Sequence, residues 1–198
     1  MIGIYGGFML TLALLLAFRR LGARRLGGPL VMAILALFFA SMAFDGINST
    51  LADLGLPHLY TSTNMTRLLT GLLSGIAIAP LLVWLLGVVA APRTEAASRA
   101  VVRSPLELAA PLAINAGFAA LVVDGRVALY YPIALLSVLG VVGALGLVAL
   151  LVVLAIGGLD GRVTRLRQIV APGALALLMT FAFLASTAAA RWAITGSP

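Results

Sequence analysis

Long apolar runs, separated by short polar breaks, constrain this chain more than any motif does. A bilayer core about 30 Å thick needs about 20 apolar residues per helix, and such runs fall at residues 2–18, 29–44, 68–91, 106–123, 132–156 and 170–190. Hydrocarbon offers no water to satisfy backbone N–H and C=O groups, so each run is expected to be helical. The expected fold is therefore all-α: a polytopic membrane bundle of about six transmembrane helices, forming a single integral-membrane domain over residues 1–198. Composition agrees, with 63% hydrophobic and only 10% charged residues and a mean hydropathy of +1.17. Soluble domains carry about 25% charged residues.

All 13 basic residues are arginines, and a pI near 11.3 invites a nucleic-acid reading until their positions are considered. Arg19, Arg20, Arg24 and Arg25 follow the first run, Arg93, Arg99 and Arg103 the third, and Arg162, Arg165 and Arg167 the fifth. Arg67, Arg126 and Arg191 fall at the opposite helix ends. The positive-inside rule then makes the richer side cytoplasmic, with both termini outside. Topology thus accounts for the charge, with attraction to anionic head groups as a by-product. No aromatic-interleaved basic patch is present for bases to stack on, so no nucleic-acid partner is expected. The first run has its positive charges after the apolar segment, the reverse of a secretory signal, and is expected to remain as an anchor. The Ala, Leu, Gly, Val and Arg bias without lysine points to a GC-rich bacterial gene and a bacterial cytoplasmic (inner) membrane.

The chain has no cysteine and no lysine, which removes disulfides, thiolate chemistry and Schiff-base catalysis. His58 is its one histidine, and a lone histidine without further ligands is no metal site, so neither metal nor cofactor is expected. Gly3 with Gly7 and Gly71 with Gly75 are small residues one helical turn apart. That spacing permits close backbone approach between helices that lipid gives no hydrophobic reason to associate.

The polar residues concentrate between the second and third runs. Ser41, Asp45 and Asn48 share one face if the second helix continues past residue 44, which Gly46 disfavours without forbidding. Thr50 with Asp53 suggests the cap of a short separate helix ended by Gly55 and Pro57. The third helix is expected to begin at Thr63 or Asn64, with Arg67, Thr70, Ser74 and the two glycines on one face and leucines on the other. An arginine facing hydrocarbon costs about 2.5–3.5 kcal/mol, so Arg67 needs a partner, and Asp45 is the expected one. Asp45, Asn48, Asn64, Arg67 and Thr70 thus form the candidate ligand-binding or structural cluster. A second intramembrane polar set is Glu107 and Asn115, two turns apart around Pro111. Glu107 could pair with Arg103 or join a proton relay through Asn115 to Asp45.

In order along the chain, "GIYGGF" at 3–8, "DGINS" at 45–49 and "LYTSTNMTRLLTGLLSG" at 59–75 resemble the bacterial integral-membrane family known as domain of unknown function 2085. The resemblance covers about residues 1–80 and implies characteristic positions at Tyr5, Asp45, Gly46, Asn48, Ser49, Arg67, Thr70 and Gly71. Members of that family carry a Cys-x-x-Cys segment ahead of the first element; this sequence begins where it would lie, so either the start is truncated relative to the family or this member has lost the motif. Thiol or metal chemistry is therefore not carried over.

The leading expectation is a non-enzymatic structural or assembly subunit, with the lipid bilayer and other membrane subunits as partners. The alternative is a small-solute or ion transporter or binder, which requires a water-accessible cavity holding Asp45, Arg67 and Asn115. A membrane enzyme ranks third, because no nucleophile with a base and no three-ligand metal set is evident.

Overall fold

The computed structural model describes residues 2–92, 99–158, 161, 163 and 167–196. The described residues form six α-helices: α1 (Ile2–Ala17), α2 (Pro29–Asp53), α3 (Asn64–Ala90), α4 (Ala109–Asp124), α5 (Val127–Ile156) and α6 (Arg167–Thr195). A short 3-10 helix, Pro105–Leu108, leads into α4. Among the described residues, the only β pairing is one isolated bridge between Arg25 and Ala100. Five segments of the described residues are long and apolar enough to cross a membrane, the shortest being Pro105–Asp124 at 20 residues. The remaining helix, α1, has 16 residues and so spans about 24 Å. Arg93, Arg162 and Arg165 lie outside the described residues.

At the centre, α1 and α3 run parallel in backbone contact. Gly3 lies against Gly71 and Leu68, Gly7 against Leu72, and Gly75 against the Ile4 carbonyl and the Phe8 amide. The two glycine pairs seen in the sequence therefore face each other, and the packing they allow is internal to the bundle. Phe8, Ile76 and Val83 are buried around this seam. The other helices surround it: α2 packs on α3, α4 and α5 pack on α1 and α3, and α6 packs chiefly along α5. Gly140 of α5 sits against the Tyr5 backbone, where a side chain would not fit.

Four helices, α2, α3, α5 and α6, extend beyond their apolar runs, α3 from the start expected for it. The second helix does not stop at residue 44, and α2 continues through Gly46 to Asp53. Thr50 lies within it, donating its hydroxyl to the Gly46 carbonyl at 2.9 Å, so no separate short helix is capped there. Gly55, with a φ of 68°, turns the chain after the helix ends. Likewise α3 begins at Asn64, four residues before the apolar run, because Thr63 and Thr66 form a reciprocal cap. The Thr66 amide donates to Thr63 Oγ1 at 3.2 Å and the Thr63 amide to Thr66 Oγ1 at 2.8 Å.

The connection from α1 to α2 is held at several points. Val101 and Val102 donate backbone N–H groups to the Arg25 and Leu26 carbonyls at 2.8 and 3.0 Å. Trp84 donates its indole N–H to the Arg24 carbonyl at 3.0 Å. Gly87 lies against the Ala23 backbone, where no side chain would fit. This places Arg19, Arg20, Arg24, Arg25, Arg99 and Arg103 at one end of the bundle, opposite the end carrying Asp45.

Candidate functional site

Because α2 continues past Gly46, Asp45 and Asn48 lie on one face, turned toward the connection between α2 and α3. Both are buried, at 4% and 3% exposure. Asn48 clamps that connection through its backbone: its amide nitrogen donates to the Tyr60 carbonyl at 2.6 Å, and its amide oxygen accepts from the Leu59 and Tyr60 N–H groups at 2.8 and 3.4 Å. Asp45 holds the same segment through side chains. One carboxylate oxygen accepts from the Tyr60 phenol at 2.7 Å and the Ser62 hydroxyl at 2.9 Å. The Thr70 hydroxyl lies 3.5 Å from the other oxygen but is 2.9 Å from the Thr66 carbonyl, and the latter takes its single proton. Phe44 stacks on the Tyr60 ring at 6.4 Å. The hydrogen bond to Asp45 is the main cause holding the Tyr60 phenol above its ordinary 10.0, with burial and the nearby negative charge adding to it.

The expected Asp45–Arg67 ion pair is not formed. Arg67 stands in the first turn of α3 and is exposed, and its guanidinium hydrogen-bonds the Ser49 hydroxyl one turn beyond Asp45. The physical reason is the returning loop, whose Tyr60 and Ser62 hydroxyls reach the carboxylate first. Asn64 is exposed at the start of α3. The five-residue cluster thus divides: Asp45 and Asn48 hold a loop clasp with Thr70 beside it, while Arg67 and Asn64 lie at the rim of a different groove. That groove, about 780 Å³, is also lined by Ile2, Leu68, Val122 and Val123. Sequence reasoning missed Tyr60, Ser62 and Ser49 as partners. Their signal was the density of hydroxyls between Leu59 and Thr66.

His58 is exposed, with Nδ1 3.1 Å from the Leu56 carbonyl. Among the described residues no grouping of three His, Cys, Asp or Glu side chains exists.

Glu107 and Asn115 are not neighbours. Asn115 is buried between α4 and α1, donating to the Pro111 carbonyl at 2.8 Å and to Thr11 Oγ1 at 3.3 Å. Thr11 in turn donates to the Gly7 carbonyl at 2.7 Å. Glu107 sits in the 3-10 helix at the arginine-rich end and pairs with Arg20 at 2.8 Å, while its second oxygen accepts from the Arg103 backbone N–H at 2.9 Å. A relay from Glu107 through Asn115 to Asp45 would have to join three separate interfaces, and no hydrogen bond among the described residues links them. Glu107 is a positioning group: it neutralises an Arg20 side chain that is only 11% exposed. Glu107→Ala should therefore leave a nearly buried guanidinium unpaired and cost about 2–3 kcal/mol of unfolding free energy in detergent. A midpoint unchanged in denaturant titration would refute that role.

The clasp joins the two motif elements at 45–49 and 59–75 into one contact, and the first element, at 3–8, packs on the third through the glycine seam. Residues 1–81 match the family model described as Predicted membrane protein (DUF2085). The match covers α1, α2 and α3 to just past Pro80, with the clasp and the seam inside it. Within the matched segment, Asp45 and Asn48 supply the carboxylate and amide of the clasp, and Arg67 bonds Ser49 beside them. No curated protein and no solved structure matches the chain significantly.

Proposed function

We propose that this membrane protein is a non-catalytic structural or assembly subunit of a larger membrane complex, built as a single integral-membrane domain. The observation that carries this reading is the surface of α6. Of its 29 residues only Ala176 and Thr180 are buried, and residues 185–190, Ala-Ser-Thr-Ala-Ala-Ala, are all exposed. Small side chains in membrane helices favour helix–helix contact, whereas lipid-facing surfaces are filled equally well by larger apolar residues. The buried Asp45 and Asn48 and the half-buried Glu107 also have internal partners that account for them. In this reading the chain lies in a bacterial inner membrane, with its arginine-rich end toward the cytoplasm by the positive-inside rule.

Purification in mild detergent followed by native mass spectrometry tests the proposal. A co-purifying protein subunit is expected, and Ala188→Trp should release it by disrupting close approach. A bare monomer that carries no other chain would refute the assembly role.

The groove bearing Asn64 and Arg67 favours a second reading, a binder of small solutes or ions. It combines an exposed cationic rim with apolar walls at Leu68, Val122 and Val123. Asp45 and Asn115 do not line it, so the cavity that a transporter using all three groups requires is not supported. A bound small molecule without a protein partner in the same mass spectrum would favour this reading.

A further inference from the structure

The arginine-rich end carries a polar pocket of about 410 Å³, within the range of ligand sites, lined by Arg19, Arg20, Arg99, Arg103, Ala91 and Pro92 among others. Three observations distinguish it from a general excess of surface charge. First, its walls are built: the segment bearing Arg19 and Arg20 is tied to the 99–103 segment by the Arg25–Ala100 bridge and the Val101 and Val102 backbone hydrogen bonds, and to the end of α3 by the Arg24 guanidinium on the Ala91 carbonyl at 2.5 Å. Second, Arg20 is nearly buried, and its Nε has no hydrogen-bond partner although its two terminal nitrogens reach Glu107 and the Ala100 carbonyl. Third, Arg19 has a φ of 53°, the one positive value among the described residues other than glycine. It closes α1, with the Arg19 and Arg20 N–H groups on the Leu16 and Leu15 carbonyls, both at 2.9 Å, and a side chain held in that left-handed region is strained.

Charge then decides what the pocket takes. Four guanidinium groups line it, and Glu107 is the only acid that the described residues place at this end, where it is already paired with Arg20. Asp45, Asp53 and Asp124 are at the other end of the bundle. Guanidinium groups present planar, paired donors that match the oxygens of a phosphate, and basic pockets at membrane helix ends are suited to phosphorylated head groups. The geometry points to a phosphate-binding site in this pocket, for a phosphate monoester or diester group, with Arg19, Arg99 and Arg103 as the anion contacts and Arg20 as the fixed back wall. A lipid head group and a soluble phosphate compound share this chemistry.

The test uses the full chain in phosphatidylcholine nanodiscs, with thermal unfolding followed by circular dichroism. In one arm inorganic phosphate is titrated at constant ionic strength, and in the other a minority of the lipid is replaced by phosphatidic acid. At least one arm should raise the melting temperature. Stabilisation by phosphate assigns a soluble ligand, whereas stabilisation by phosphatidic acid alone assigns a lipid head group. Arg99→Gln should weaken the effect about tenfold in apparent affinity, while Arg25→Gln, exposed at the same end but outside the pocket, should leave it intact. Arg19→Gly should weaken it too, yet raise the melting temperature without ligand, because it removes the strained backbone. Arg19 and Arg99 are exposed, so both variants should fold. Arg103→Gln replaces either variant that does not. Absence of stabilisation in both arms, or an equal loss in Arg25→Gln and Arg99→Gln, overturns the site.

Discussion

Gly75→Ala is expected to be among the most damaging single-methyl additions in this protein. A Cβ there would collide with the Ile4 carbonyl oxygen and the Phe8 amide nitrogen, both backbone atoms of α1. Side chains can rotate away from an intruding methyl, but two packed helix backbones can only separate. Such overpacking costs about 1–3 kcal/mol, and the rigidity of this contact places Gly75→Ala at about 3 kcal/mol. Gly117→Ala is the matched control, since its Cβ would meet nothing within 4 Å. It should be neutral or stabilising by about 0.5–1 kcal/mol, because alanine favours the helix over glycine. Denaturant titration in detergent, followed by the fluorescence of Trp84 and Trp192, would give both values. If the two variants had equal midpoints, the glycine seam would not be the determinant of packing described above.

Asp45→Ala should have a comparable effect for a different reason. It removes the acceptor of the Tyr60 and Ser62 hydroxyls and leaves the loop closed only by Asn48. Hydrogen bonds to a charged group contribute about 1.5–3 kcal/mol, and the loss here is expected near 3 kcal/mol. Asp45→Asn retains an oxygen acceptor at the same place and should cost about 1 kcal/mol. A pH series supplies an independent sign. The Tyr60 phenol is held above 10.0 in the folded state, so its contribution is fully present below pH 10 and is lost as the pH rises through the folded value. Stability of the parent should therefore fall above pH 10 more steeply than that of Asp45→Ala. An unchanged midpoint for Asp45→Ala would contradict the clasp, and parallel alkaline profiles would remove the phenol from it.

The helical architecture was legible because hydrocarbon thickness sets a minimum run length, and a run either meets it or does not. Gly3 with Gly7 and Gly71 with Gly75 were legible for a similar reason, since a spacing of four puts both members on one helix face. Asp45 and Asn48 could be placed together by the same rule once α2 was allowed past Gly46. What spacing could not give was the partner of each polar group. Arg67 was matched to Asp45 because that acid ends the preceding apolar run at the same depth, yet neutral hydroxyls on a folded-back loop satisfy the carboxylate. Glu107 was offered Arg103 one turn away, and it does accept that residue's backbone N–H, but the charge it pairs with is Arg20, 87 residues earlier. Both choices depend on tertiary proximity, which periodicity along one helix does not encode. The arginine pocket was visible only as charge, because its walls come from two segments about 80 residues apart.

The parallel contact between α1 and α3 has a consequence for biosynthesis. Parallel neighbours cannot be adjacent in the chain: α2 must traverse and return before Gly71 and Gly75 can meet Gly3 and Gly7. Until then α1 has emerged without its principal neighbour. The shortest nascent chain that contains every half of the seam and of the Asp45 clasp ends just beyond Gly75, close to the limit of the matched segment at residue 81. The first three helices therefore form the earliest closable unit. The rest of the chain, from the 3-10 helix to α6, then has a platform on which it can pack as it emerges.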